Sequence, residues 1–81
     1  MIRWTLMQMM GRYQMETGRR LTIGELAAAT GVARASITLA LGGETTRVDL
    51  ETLDKLISFF RRELNQAFTV ADLLEYTQET T

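Results

Sequence analysis

Between residues 2 and 76 apolar side chains return at steps of three and four, and no proline in the 81 residues breaks that rhythm. A period near 3.6 belongs to a helix with one buried face, and without proline only glycines and capping residues remain to interrupt it. The chain is therefore read as an all-α domain. A single domain of this length buries only about 60–65% of the surface its unfolded chain exposes, so the core is small. Residues 1–76 are assigned to it, and the polar residues 77–81 to a frayed tail.

Interruptions divide the pattern into five helices. Ile2, Leu6, Met10 and Tyr13 stripe a first helix over about residues 2–16, with Trp4 off the stripe and Gly18 at its end. Thr22 and, three residues on, Glu25 have the spacing of a capping box and open a second helix reaching about residue 29. The triplet Thr30, Gly31, Val32 stops it after two turns, and Gly31 supplies the positive φ of a sharp turn. A third helix over about residues 34–41 carries Ile37 and Leu41 on one face and stops at Gly42 and Gly43. Asp49 caps a fourth, in which Leu50, Leu53, Leu56, Ile57 and Phe60 build a broad apolar face to about residue 64. Thr69, with Asp72 at the third position, starts a short fifth helix whose Val70, Leu73 and Leu74 cover the end of the core.

Composition removes several function classes. The chain has no cysteine and no histidine, so disulfides, thiolate chemistry, histidine metal sites and imidazole catalysis are excluded. The carboxylates are scattered over helix faces and caps, and no glycine-rich phosphate cradle accompanies them, so an enzyme is not expected. No cofactor or metal is expected, and a bundle of this size leaves no second domain to hold a small-molecule effector. No stretch approaches the roughly 18 apolar residues of a membrane span, nor is there a basic flank followed by an apolar run at the N-terminus. The expected location is cytoplasmic, away from membranes. Net charge is −1, but its distribution is uneven: residues 1–43 hold five arginines against two glutamates, and residues 44–81 four basic against eight acidic side chains. One end of the molecule thus suits a polyanion better than the other.

Two short helices joined by a tight glycine turn, over residues 22–41, have the length and apolar spacing of a helix-turn-helix. Leu26, Val32, Ile37 and Leu41 fix the angle between them, and the small Ala27 permits a close crossing. Beyond this motif, the segments IRWTLMQMM, LTIGELAAATGVARASITLALGG, TRVDLETLDKLISFF and ADLLEY stand in an order and spacing that resemble the Cro/repressor type of helix-turn-helix regulators, also called the xenobiotic-response-element type. The resemblance covers residues 2–76; only the link RRELNQAFTV is a few residues long for it.

The resemblance implies a five-helix, lambda-repressor-like DNA-binding domain that acts as a transcriptional repressor and reads the major groove with its third helix. Mapped onto this chain, Arg34, Ala35, Thr38 and Leu39 face the bases, with Ser36 a weaker candidate that turns toward the second helix. Arg34 is the foremost of these, because a guanidinium bonds guanine O6 and N7 together. Ala35 or Leu39 suits a thymine methyl. Several positions depart from the family pattern. Ile23 replaces a common glutamine, Ala33 a capping serine or threonine, Gly42 a common asparagine, and Glu44 a lysine or other polar residue. Phosphate contacts then fall to Thr22 and its helix N-terminus, Arg19, Arg20, Thr45, Thr46 and Arg47. Trp4, Met7, Met9, Phe59 and Phe68 exceed the clear needs of the core, which points to a homodimer interface, the alternative being that they fill gaps beneath the fourth helix. Double-stranded DNA and a second copy are thus the expected partners; the alternative function is a protein-interaction module that kept the fold and lost DNA affinity.

Overall fold

The structure, a computed structural model, describes residues 2–42 and 47–78. In chain order they form strand β1 (Ile2–Trp4), helices α1 (Leu6–Thr17), α2 (Ile23–Thr30), α3 (Arg34–Gly42) and α4 (Leu50–Leu64), a 3-10 turn (Val70–Asp72) and strand β2 (Leu74–Tyr76). Four α-helices and a two-stranded sheet thus replace the expected five helices. No helix among the described residues is long and apolar enough to cross a membrane.

The first helix starts four residues later than the apolar stripe suggests. Ile2, Arg3 and Trp4 pair antiparallel with Tyr76, Glu75 and Leu74, which places the two ends of the domain side by side. β-branched and aromatic residues suit a strand, and Ile2, 69% exposed, never joins the core. The buried stripe of α1 is Leu6, Met9 and Tyr13, with Met10 half-buried beside it. Thr5 joins strand to helix: its N–H donates to the Leu73 carbonyl at 2.7 Å and its hydroxyl to the Asp72 carbonyl at 2.9 Å. Thr5 is buried, so Thr5→Val deprives a carbonyl of its partner and is expected to cost about 1–2 kcal/mol in urea unfolding; a loss below about 0.3 kcal/mol would contradict this role.

The same pairing accounts for the missing fifth helix. Thr69 N–H does bond the Asp72 carboxylate at 2.8 Å, as the capping pattern requires, but the turn ends at Asp72 because the following residues give their backbone groups to β1. Leu73 is buried and Leu74 packs against the core, whereas Val70 is 51% exposed and covers nothing.

The core lies between α1, α2, α3 and α4. Asp49 caps α4 by accepting from the Thr52 N–H at 3.3 Å, and Leu53, Leu56, Phe59 and Phe60 form its buried face; Leu50 is exposed. Tyr13, Phe59 and Phe60 form an aromatic cluster with ring centroids 5.2–6.5 Å apart. Met9, Phe59 and Phe68 are each only 4% exposed, so they fill the core and are not free for a subunit interface. Trp4 is half-buried, and of these five residues only Met7 lies mainly in solvent. The long link after α4 folds back onto α1. Arg12 donates to the Gln66 side chain at 2.7 Å and lies 5.1 Å from the Phe68 ring centroid, while Arg61 Nε donates to the Phe68 carbonyl at 2.6 Å. Of the polar tail, residues 79–81 lie outside the described residues.

Candidate nucleic-acid interface

The spacing of α2, turn and α3 is set by three small devices. At the start of α2 the Thr22 hydroxyl accepts from the Glu25 N–H at 3.1 Å and donates to the Glu25 carboxylate, also at 3.1 Å. At its end Gly31 takes φ 77° while its N–H bonds the Ala27 carbonyl at 2.9 Å. Thr30 then stitches the turn: its hydroxyl donates to the Leu26 carbonyl at 2.6 Å and accepts from the Val32 N–H at 3.2 Å. Val32, buried, anchors the far side. With so few free dihedrals the turn delivers α3 in one orientation.

α3 is preceded by an alanine, Ala33. The Ala33 carbonyl accepts from the Ser36 and Ile37 N–H groups at 3.0 and 3.2 Å, but its methyl offers no oxygen to the free amides of the first turn. Burial therefore holds the helix: Ile37 and Ala40 are buried and Leu41 half-buried, against Leu26 and Ala27 of α2. Ile23 is half-buried on the same core, which explains its departure from a polar residue, because the position is used for packing.

With about 100° between successive residues, burying Ile37 and Ala40 turns Ala35, Thr38, Leu39 and Gly42 outward, with Arg34 and Ser36 on the two flanks. All five candidate base-contact residues are exposed on this one helix. Their flanks differ from the expected arrangement, however. Ser36 does not turn toward α2; it lines a hollow with Trp4, Leu39, Arg47, Asp49 and Thr52, beside the start of α4. Arg34 takes the α2 side. A Cβ at Gly24, in the first turn of α2, would stand 2.7 Å from Arg34 Nη2, 3.3 Å from Cζ and 3.7 Å from Nε. The guanidinium thus lies across the bare backbone of α2.

The candidate phosphate contacts surround this face unevenly. Thr22 is exposed at the start of α2, and the side chain of Arg19 beside it approaches Glu25 at 3.9 Å, a solvent-screened pair of little energetic weight. Arg20 borders a groove with Met7, Met10, Gln14 and Ile23, between α1 and α2. Arg47 is exposed at the other end, on the hollow that holds Ser36 and Leu39. Thr45 and Thr46 lie outside the described residues, as do Gly43 and Glu44.

Two neighbours of the outward face of α3 were not placed there by the sequence. Trp4 stands on a strand, not on a helix, and reaches the hollow beside Ser36 and Leu39. Gly24 lies ten residues before Arg34, in the first turn of α2, and its only local sign is a glycine inside a helix, where alanine is the better helix former. The backbone there is not in the left-handed region, so conformation does not require the glycine; a Cβ there would meet only the end of the Arg34 side chain, which would have to move aside.

Compared with known families, residues 6–79 match the model of the Cro/C1-type HTH DNA-binding domain, a span that begins at the first residue of α1 and contains the whole of α2, turn and α3. No curated protein and no solved structure matches the chain.

Proposed function

Because the chain belongs to the Cro/C1-type HTH DNA-binding domain family, we propose that it is a sequence-specific transcriptional repressor that reads the major groove with α3. The observation that carries this reading is the outward face of α3: Arg34, Ala35, Thr38 and Leu39 exposed together on a helix whose other face is locked by Ile37, Ala40 and Leu41. Arg34 supplies the guanine contact, and the methyl-bearing Ala35, Thr38 and Leu39 suit thymine methyl groups. Thr22, Arg19, Arg20, Thr45, Thr46 and Arg47 lie on either side of the reading helix in sequence and seat the phosphates. One such helix specifies only a few base pairs, so two copies on a palindromic operator, with reading helices about 34 Å apart, complete the site.

Titration of random-sequence duplex DNA at increasing salt tests the electrostatic half of the proposal. Affinity that falls as a power of salt concentration supports it, each phosphate contact contributing about −0.9 to the slope. Salt-independent, negligible binding, with retention of a protein partner instead, would favour a protein-interaction module. Arg34→Ala tests the reading half. It is expected to remove about 1–3 kcal/mol of discrimination at one base pair, measured by competition between singly substituted duplexes, while changing fold stability by no more than about 0.5 kcal/mol. Undiminished discrimination would exclude Arg34 from base reading.

A further inference from the structure

We propose that Gly24 is a positioning residue for base reading: its missing side chain seats the Arg34 guanidinium against α2 and so sets the direction from which Arg34 reaches a base. The inference rests on the DNA-reading role of α3 and assigns part of that role to a residue on a different helix.

Two unfavourable features meet at this point. Gly24 occupies the first turn of a helix, where alanine would be preferred and where its φ does not call for glycine. Arg34 places a cation at the N-terminal end of its own helix and against the first turn of α2, where both helix dipoles oppose it. Among the described residues no ion pair includes Arg34, so none offsets the placement of its cation there. The nearest carboxylate in sequence, Glu25, is already engaged by Thr22 and Arg19.

Together they place a long side chain in a space that the glycine leaves open: Nη2, Cζ and Nε of Arg34 all lie within 3.7 Å of where a Cβ at position 24 would stand, so a side chain there would close this path along α2 and widen the range of directions the arginine must search. Ordering before binding lowers the entropic cost of the contact and restricts it to the base pair that lies in its direction. A side chain at position 24 displaces the guanidinium; this is sterically easy, because the atoms it meets are the end of a flexible chain. The helix keeps its backbone and gains a better helix former.

The test compares the wild-type full chain with Gly24→Ala, Arg34→Ala and the double variant on the preferred duplex and its single-base-pair substitutions. Gly24→Ser, which adds a Cβ at the same place, serves as a second wedge. Gly24→Ala is expected to keep or raise the thermal midpoint of the free chain and to lower the base preference at the Arg34-dependent pair about three- to tenfold, the ordering cost of one long side chain. Preferences elsewhere and the salt slope stay unchanged, and on the Arg34→Ala background Gly24→Ala has no further effect. Undiminished preference in both wedge variants overturns the proposal, as does an equal loss with and without Arg34. Failure of the wild-type chain to prefer any duplex overturns the DNA-reading role itself and this inference with it, a result distinct from either of the others.

Discussion

Ala35→Glu is expected to reduce affinity for the preferred duplex at least a hundredfold while leaving the chain folded. Ala35 is exposed at the second position of α3, and its direction is the outward one that burial of Ile37 and Ala40 imposes. The substitution disturbs no packing, and an acidic residue in a first helical turn is favoured by the dipole, so stability should change by less than about 0.5 kcal/mol. On DNA the same carboxylate is brought between two phosphate backbones, and like-charge apposition of this kind costs several kcal/mol. The measurement is fluorescence anisotropy on the preferred duplex, with thermal unfolding of the same samples. Affinity within threefold of wild type would mean that α3 does not enter the groove.

Phe60→Ala is expected to have the largest effect on stability. Phe60 is fully buried on α4 and meets Tyr13 and Phe59 edge-on, with centroids 6.5 and 5.2 Å away, so truncation opens a cavity in the middle of the aromatic cluster. Such changes cost about 3–5 kcal/mol. Domains of this size have a total stability of about 4–12 kcal/mol, so the loss removes a large fraction of it and lowers the midpoint by roughly 15 °C or more. Val70→Ala is the matched control, because Val70 is largely exposed and should change stability by no more than about 0.5 kcal/mol. A loss below 1 kcal/mol for Phe60→Ala would contradict the placement of the core.

What the sequence made legible was local. Thr22 with Glu25, Gly31 and Asp49 each act within four residues of themselves, and each stands where its spacing placed it. The two β-strands were illegible for the opposite reason: Ile2 meets its partner Tyr76 across almost the whole chain, and three-residue strands leave no period to detect. That long-range pairing also removed the fifth helix, although the Thr69 and Asp72 pattern at its start was real. Met9, Phe59 and Phe68 looked surplus because an apolar residue without an evident stripe can lie in a core or on an interface, and only tertiary packing distinguishes the two: Phe59 stacks on Tyr13, and Phe68 is carried onto the core by a link whose Gln66 bonds Arg12 of α1. The outward face of α3 was legible as a set, since the resemblance named Arg34, Ala35, Ser36, Thr38 and Leu39 and all five are exposed there. Its detail was not, because Ser36 and Arg34 lie beside Trp4 and Gly24, which stand on other elements.

The central claim, that α3 reads a defined DNA sequence, is tested most directly by selecting duplexes from a random library at about 100 mM salt and then titrating the enriched sequence against salt. The account predicts one enriched motif, arranged as two inverted half-sites with centres about 10–11 base pairs apart, bound less tightly as salt rises. A library that remains unenriched, with no salt-dependent binding to any duplex, would contradict it.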